Sequence, residues 1–266
     1  METCVGNLSE HQSGEFTKLL YIGNSGSGKT GSLTSLVAAG YKLRILDMDN
    51  GLDALVQYIK KECPEKLSSV EYETIRDKYR ATETGPQVVP PAAALVKASK
   101  LLQKWSDGTN PAEWGADHIL VIDTLTSLGA AAYNWAKQMQ PTVKHKQIWF
   151  GAAQEVVEQI VALTTSETFR TNVMFLSHID AREDEDGNVA KSFVSSIGKA
   201  LGPKLPRSFN TMLMAETKGQ GERREYQIRT IPTAQLDLKN PAPFRLKPYY
   251  PLSTGLAEIF QVLRSA

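Results

Sequence analysis

The chain has 266 residues, of which 41% are hydrophobic and 22% charged, and its formal net charge is +1. This near-average composition excludes a disordered, collagen-like or low-complexity chain, and a chain of this length fits one or two domains with a substantial core. Only two cysteines occur, Cys4 and Cys63, which excludes a disulfide-dense scaffold or a Cys-rich zinc module. We expect neither a secretory signal nor a membrane span, because the sequence shows no basic segment before an apolar run at its start and no long apolar stretch.

Charge is unevenly distributed along the sequence. Residues 1–186 carry 18 Lys and Arg against 24 Asp and Glu, whereas residues 187–266 carry 12 against 5. Several basic residues of the second part fall in or beside predicted loops and hairpins, where side chains that contact phosphates are usually found: Lys191, Lys199, Lys204, Arg207, Lys218, Arg223, Arg224 and Arg229. The pattern fits a polyanionic partner and fits equally a solvated surface with counter-charges nearby.

The first part of the chain alternates predicted strands and helices. Apolar periodicity predicts strands at 17–22, 43–47 and 70–75 and helices at 29–39 and 93–105. Such alternation is typical of a parallel sheet covered by helices on both faces.

The alternation continues, and the composition then changes after residue 205. A strand is predicted at 118–123, a helix at 148–163 and a strand at 172–177, followed by an antiparallel strand pair at 209–215 and 225–231 and a closing helix at 252–263. No long linker or internal repeat interrupts the chain. We therefore predict an N-terminal extension at 1–16 and one α/β domain at 17–266.

A phosphate-binding motif is the strongest signal in the sequence. Residues 23–30 match G-x-x-x-x-G-K-[ST] and stand between a predicted strand and a predicted helix. Glycines let successive backbone N–H groups point at phosphate oxygens, and the helix N-terminus favours the same anion. Lys29 is expected to neutralise β- and γ-phosphate charge, and Thr30 to supply a hydroxyl to Mg²⁺. The predicted nucleotide-binding residues are Gly23, Asn24, Ser25, Gly26, Ser27, Gly28, Lys29 and Thr30.

Asp123 ends the apolar strand predicted at 118–123. Ligands of open α/β sheets bind at the carboxyl ends of the strands, so this carboxylate is expected beside the phosphate-binding loop. An apolar strand ending in Asp is common by itself, and the neighbouring motif is what favours a metal role. We predict that Asp123 and Thr30 hold Mg²⁺, Asp123 through water.

Another carboxylate is needed for catalysis, because Thr124 follows Asp123 where many helicases and transporters have the glutamate that orients the attacking water. Residues 46–53, Leu-Asp-Met-Asp-Asn-Gly-Leu-Asp, follow the second predicted strand. They resemble the RecA superfamily pattern hydrophobic-Asp-x-Glu-x-x-Leu-Asp, with Asp49 in place of Glu. The resemblance implies that Asp49 is the catalytic carboxylate, one methylene shorter. The alternative is an Asp-Asn-Gly turn with capping carboxylates.

Two further segments resemble the RecA superfamily. Residues 121–128 resemble its magnesium strand, and residues 173–178 resemble the strand whose last polar residue senses the γ-phosphate. The resemblance implies a RecA-like P-loop NTPase with a mainly parallel α/β sheet, helices on both faces and an antiparallel C-terminal extension, and it makes His178 the catalytic sensor. A purely structural histidine is the alternative. Segments 179–190 and 191–208 correspond, by resemblance, to the two loops lining the family's nucleic-acid channel.

Over residues 17–265 the layout is similar to small phage-encoded RecA-like ATPases with an AAA domain, associated with single-strand annealing and recombination. This resemblance implies binding of ATP and Mg²⁺, DNA-stimulated ATP hydrolysis, single-stranded DNA as a partner, and self-association into a ring or filament. It also implies a location in the host cytoplasm and a phage single-strand-binding protein as a candidate partner. In RecA proteins a basic residue of a neighbouring protomer completes the ATP site, and Lys239 is the candidate here.

Other P-loop classes fit the sequence less well. A GTPase should show Asn-Lys-x-Asp and a glycine three residues after the magnesium aspartate, where Thr126 stands. An ABC ATPase needs an LSGGQ-like signature, and a small-molecule kinase needs an Arg-rich lid, for which Arg223 and Arg224 are too slight a basis. Two alternatives stay open: an ATP-driven motor or remodelling subunit, such as a ring helicase or packaging accessory, and a nucleotide-gated adaptor with negligible hydrolysis.

Overall fold

The structure, a computed structural model, describes residues 15–143, 145–183, 187, 189–219 and 221–265. Its strands are β1 (Lys18–Ile22), β2 (Lys42–Asp47), β3 (Val70–Thr74), β4 (Tyr79–Arg80), β5 (Gln87–Val88), β6 (Gly115–Asp123), β7 (Thr171–Ser177), β8 (Ile179–Glu183), β9 (Val189–Val194), β10 (Thr211–Lys218), β11 (Glu225–Arg229) and β12 (Tyr249–Pro251). Its α-helices are α1 (Lys29–Ser32), α2 (Thr34–Ala38), α3 (Asp53–Glu62), α4 (Ala94–Gln103), α5 (Leu125–Met139), α6 (Lys146–Thr165), α7 (Gly198–Leu201) and α8 (Gly255–Arg264). Most of the predicted N-terminal extension, 1–16, lies outside the described residues.

One eight-stranded sheet organises the fold, in the order β12-β11-β10-β1-β7-β6-β2-β3. The pairs from β10 to β3 are parallel, whereas β11 and β12 add to the β10 side in antiparallel orientation. The mainly parallel α/β fold and its antiparallel C-terminal extension are thus as predicted. Because the strands are parallel, the carboxyl ends of β1, β7, β6 and β2 meet at one edge of the sheet.

Helices cover both faces of this sheet. In β1, Leu20 and Ile22 pack into one core, which also takes apolar side chains from α4, α5 and α6. Leu19 and Tyr21 pack into the other, with side chains from α2, α3 and α8. Successive residues of a strand point to opposite faces, so burial on both faces explains the continuous apolar runs at 19–22 in β1 and 173–176 in β7.

The helix predicted at 29–39 is interrupted at Leu33, which separates α1 from α2. The Ser32 hydroxyl donates to the carbonyl of Lys29 (2.7 Å), and the Ser35 hydroxyl donates to the carbonyl of Ser32 (2.9 Å). Such side-chain bonds compete with the helical backbone ladder. They account for a break that apolar periodicity alone does not reveal.

Two helices beside the sheet edge were not among the predicted elements. Helix α3 directly follows the Asp-Asn-Gly segment, and α5 directly follows Asp123 and Thr124. The Thr124 hydroxyl accepts a hydrogen bond from the backbone N–H of Ser127 (3.3 Å) and so caps α5. Helix α5 is rich in alanine and contains Gly129, so its apolar stripe is weak in the sequence.

The segments expected as two loops contain regular structure instead. Strands β8 and β9 pair antiparallel from Ile179 with Val194 to Glu183 with Val189, and α7 follows. The hairpin forms a two-stranded sheet separate from the central one. Its tip, residues 184–186 and 188, lies outside the described residues. Among the helices described, none combines the length and apolarity needed to cross a membrane.

Candidate functional site

The phosphate-binding loop joins β1 to α1 at the carboxyl edge of the sheet. Gly26 and Gly28 have φ angles of 74° and 86°, a left-handed conformation that side chains with a Cβ rarely adopt. A Cβ at Gly28 would also overlap the Leu252 side chain. The Ser27 hydroxyl is buried and has no hydrogen-bond partner among the described residues. The loop thus combines a glycine-dependent backbone with an unsatisfied hydroxyl, as expected for an anion cradle.

Lys29 is buried within this loop. Its ammonium donates to the carbonyls of Gly23 (2.8 Å) and Asn24 (3.0 Å). Burial lowers the pKa of Lys29, and the nearby carboxylates of Asp123 and Asp49 partly offset that effect. The positive charge is therefore poorly solvated and close to the loop backbone, where an anion would compensate it.

Thr30 and Asp123 meet across the sheet edge. The Thr30 hydroxyl donates to Oδ2 of Asp123 at 2.9 Å. Asp123 is only 3% exposed, and burial, opposed by the Thr30 hydrogen bond, raises the pKa of Asp123 to about 6. A cation beside this carboxylate would favour its charged form.

These two side chains fit a Mg²⁺ ion. Mg²⁺ prefers oxygen donors, and it commonly takes one or two protein ligands with phosphates and waters completing its shell. The structure brings one hydroxyl and one carboxylate together next to Lys29. Among the described residues no group of three or more His, Cys, Asp or Glu forms a metal cage, so the donor set suits a metal that arrives with phosphates.

The two aspartates after β2 have different environments. Asp47 is buried, and its Oδ1 accepts from the backbone N–H of Asn50 (2.7 Å) while its Oδ2 accepts from the hydroxyl of Thr74 (3.2 Å). Asp49 is exposed and accepts a short hydrogen bond from the Ser127 hydroxyl and a longer one from the Thr124 hydroxyl (3.3 Å to Oδ2). Asp47 therefore caps the Asp-Asn-Gly turn, whereas Asp49 contacts the start of α5.

His178 follows β7 directly at the same edge. Burial lowers the pKa of His178, and the positive charge of Lys29 lowers it further, so the imidazole is neutral near pH 7. The preceding Ser177 accepts from the Gly23 N–H through its carbonyl (3.1 Å), and its hydroxyl donates to the carbonyl of Ser195 (2.7 Å). Ser195 in turn donates its N–H to the His178 carbonyl (2.9 Å). These bonds join the phosphate-binding loop to the base of the β8–β9 hairpin.

A cavity of about 430 Å³ adjoins the loop, a volume within the range of small-molecule sites. Tyr58 of α3 and Tyr226 of β11 line it together with Leu252. The Tyr58 ring lies 2.8 Å from where a Cβ on Gly31 would stand, and the Tyr226 ring 3.7 Å from that of Gly28. Both rings are partly exposed, so the cavity offers aromatic faces next to the phosphate-binding loop.

Comparison with known proteins bears on this site. The profile of the AAA domain family matches residues 15–242. The chain belongs to the AAA domain family. The crystal structure of a KaiC-like protein from Pyrococcus horikoshii OT3 is similar, with a TM-score of 0.46 and 11% identity over 89% of this chain and 85% of that chain. Flagellar accessory protein FlaH from Methanocaldococcus jannaschii has a TM-score of 0.42 and 9% identity over 89% and 83%. No curated protein matches the sequence.

This AAA domain protein thus carries its phosphate-binding loop at the carboxyl edge of a mainly parallel sheet. The edge formed by β1, β7, β6 and β2 carries every predicted site residue except Lys239. The Lys239 backbone carbonyl accepts a hydrogen bond from the N–H of Met212 (2.7 Å) near the start of β10, toward the opposite end of the strands from the loop. Within one chain it does not join the site.

Four residues at the site were given no role in the sequence prediction: Thr124, Ser127, Tyr58 and Tyr226. A hydroxyl residue just before an unrecognised helix is a capping signal, which would have drawn attention to Thr124. The two tyrosines carry no local signal in this AAA domain protein, because their elements meet only after the sheet has formed.

Proposed function

We propose that this AAA domain protein binds ATP with Mg²⁺, hydrolyses it, and uses the nucleotide state to control its grip on single-stranded DNA. The observation that supports the proposal most directly is the contact between Thr30 and Asp123 (2.9 Å) beside the buried Lys29. In P-loop proteins these three functional groups serve the β- and γ-phosphates and their metal.

Each P-loop residue has a distinct task in this proposal. The backbone of residues 23–30 binds the phosphates, with Lys29 exchanging its contacts to Gly23 and Asn24 for phosphate oxygens. Thr30 and Asp123 would hold Mg²⁺, which when bound neutralises developing charge on the phosphates. The adenine base would enter the cavity between Tyr58 and Tyr226, whose ring faces suit stacking.

Asp49 is the proposed general base. Its carboxylate takes a proton from water as the water oxygen bonds to the γ-phosphorus, and the bond from that phosphorus to the bridging oxygen of ADP breaks. Neighbouring positive charge from Lys29 stabilises the transferring group, and neutral His178, one residue beyond β7, is placed to sense it.

The β8–β9 hairpin and α7 are the proposed DNA contact. Arg182 stacks on Phe193 with its guanidinium 4.5 Å from the ring centroid, and Lys199 and Lys204 are exposed nearby in the sequence. Cations interleaved with aromatic faces suit single strands, which offer both phosphates and unstacked bases. The bonds through Ser177 and Ser195 give the nucleotide site a direct connection to this hairpin.

Recombination or strand annealing, in a phage context, is the process we propose for this activity. Self-association into a ring or filament would bring Lys239 of one protomer toward the nucleotide of its neighbour. A single-strand-binding protein that coats the same DNA is the expected further partner. The host cytoplasm is the location we propose for this activity.

ATP turnover measured with and without single-stranded DNA tests this function. Wild-type protein should hydrolyse ATP in the presence of Mg²⁺ and do so faster with DNA, and Lys29→Ala should lose binding or turnover. Asp49→Asn should retain ATP binding and slow hydrolysis by about 100-fold or more, the usual contribution of a general base. Lys60→Ala, an exposed lysine on α3, is the control.

The outcomes separate the alternatives. Absence of ATP binding by the wild type contradicts the proposal as a whole. Binding without turnover favours a nucleotide-gated adaptor, and duplex unwinding coupled to turnover favours a motor. Unchanged turnover in Asp49→Asn assigns the base to another residue.

A further inference from the structure

The first turn of α5 presents a row of hydroxyl groups to two different neighbours. Thr124 and Ser127 contact Asp49 after β2, whereas Thr126, between them in sequence, contacts the carbonyl of Ser195 (3.3 Å). Side chains three apart on a helix share a face, which is why Thr124 and Ser127 reach the same carboxylate. The contact links residues 78 positions apart in the chain.

The hydrogen bonds to Asp49 are unevenly shared between its two oxygens. Oδ1 accepts from two hydroxyls, those of Ser127 and Thr124 (3.4 Å to Thr124), whereas Oδ2 accepts from Thr124 alone (3.3 Å). One oxygen is therefore held, and the other keeps most of its acceptor capacity. A carboxylate accepts through two oxygens, so Oδ2 remains the one for an incoming water.

These bonds have no role in the local turn. Asp47 already caps the Asp-Asn-Gly segment by accepting from the N–H groups of Asn50 (2.7 Å) and Gly51 (3.4 Å). Asp49 makes its bonds to another element altogether. An exposed aspartate otherwise samples several rotamers, and holding one of them costs conformational entropy. The hydrogen bonds from the two hydroxyls must offset that cost.

We propose that Ser127, assisted by Thr124, is a positioning residue that fixes the Asp49 carboxylate in its reactive orientation. The inference rests on the proposed function. It explains how Asp49, one methylene shorter than the glutamate of the RecA pattern, is held in place at that site. Only Thr124 separates Asp123 from α5, so the two hydroxyl residues that contact Asp49 stand one and four positions after the carboxylate proposed to hold the metal. Loss of orientation at a reacting group lowers the rate without weakening substrate binding.

Steady-state ATP hydrolysis and ATP affinity of Ser127→Ala test this role. We expect kcat to fall by about 10-fold to 100-fold, the effect of a misplaced catalytic group, while the Kd for ATP stays within about twofold. Ser127→Thr keeps the hydroxyl and should restore most of kcat. Ser99→Ala removes a hydroxyl that bonds only within α4, to the Leu95 carbonyl (3.0 Å), and is the matched control.

A double-mutant cycle distinguishes positioning from a structural effect. In an Asp49→Asn background, Ser127→Ala should cause little further loss of kcat, because the group that Ser127 orients has already lost its function. Additive losses would overturn the proposal, as would a raised kcat in Ser127→Ala, which would mean that the bond withdraws Asp49 from the site. A weakened ATP affinity with kcat unchanged would overturn it as well.

Measurements on the wild-type protein distinguish a failure of this inference from a failure of the proposed function. Wild-type turnover together with an unchanged kcat in Ser127→Ala contradicts the inference alone. A wild type that neither binds nor hydrolyses ATP contradicts the proposed function, and the inference with it. Thermal unfolding of every variant, compared with Ser99→Ala, identifies any rate loss that comes from misfolding.

Discussion

Three aspartates at adjoining strand ends show how environment separates identical side chains. Asp47 accepts hydrogen bonds from backbone N–H groups of the following turn. Asp49 is exposed and accepts from hydroxyls, and Asp123 is buried beside Thr30. Their negative charges act on one another, since Asp49 and Asp47 both add to the raised pKa of Asp123. The same residue type is thus suited to capping, proton transfer or metal binding according to what surrounds it.

The buried carboxylate predicts a pH-dependent stability. Burial raises the pKa of Asp123 to about 6, well above the usual range of an aspartate, so the folded state favours the protonated form. The stability that this proton contributes is lost as the pH rises through 6. Relative to Asp123→Asn, wild-type protein without Mg²⁺ should lose about 2 kcal/mol of unfolding free energy between about pH 4 and pH 7. Urea unfolding at a series of pH values measures this difference.

An exposed carboxylate provides the control for that measurement. Asp117 has a side chain that is 81% exposed, and Asp117→Asn should follow the wild-type pH dependence. A constant difference between wild type and Asp123→Asn across the range would contradict the buried, proton-favouring environment.

At the scale of elements, the antiparallel C-terminal extension contributes to the site directly. Strand β11 supplies Tyr226, and the segment after β12 supplies Leu252, which lies against Gly28. The antiparallel pair was predictable from two apolar strands around a Gly-rich turn. Its placement against the phosphate-binding loop was not, because that depends on β10 pairing with β1, an association between distant parts of the chain.

The cavity beside the loop predicts that different residues bind the base and the phosphates of ATP. Tyr226→Leu should weaken ATP binding at least about fivefold, since stacking on an aromatic ring contributes roughly 1 kcal/mol or more. Affinity for inorganic tripolyphosphate, which has no base, should stay unchanged. Isothermal titration of both ligands measures the two effects.

Tyr72 of β3 is the matched control, because it is exposed at the opposite edge of the sheet. Tyr72→Leu should leave both affinities as in the wild type. Equal losses of ATP and tripolyphosphate affinity in Tyr226→Leu would mean that Tyr226 supports the loop and does not contact the base.

At the scale of the whole molecule, the structure shows where the basic residues of the C-terminal region lie. Of the basic residues in 187–266, Lys199 in α7 and Lys204 just after it are exposed, as is Arg182 on the neighbouring hairpin, while other cations are paired. Lys191 bonds with Asp237 (2.8 Å) and Arg229 with Glu216 (2.9 Å). The interpretation as a solvated surface with counter-charges therefore applies to these paired residues, whereas contact of the exposed cations with a polyanion stays a prediction.

The exposed cations predict salt-sensitive DNA binding. With three phosphate contacts, affinity for a single strand should fall roughly 20-fold between about 50 and about 200 mM salt. Replacing Lys199 and Lys204 together with Ala should flatten the dependence, and Lys60→Ala with Lys61→Ala on α3 should not. Fluorescence anisotropy across a salt series measures the slope. Absence of binding at low salt, with and without ATP, would contradict the DNA role.

The sequence by itself determined the phosphate-binding loop, most strands and the carboxylate that ends β6, because glycine conformation and apolar periodicity are local properties of the chain. Tertiary structure decided which aspartate caps the turn and which one contacts α5, since the contact between Asp49 and Ser127 exists only after β2 and β6 have paired. It also decided that the expected loops at 179–208 contain a hairpin and a helix. Pairing and packing bring distant side chains together, and local sequence carries no record of those distances.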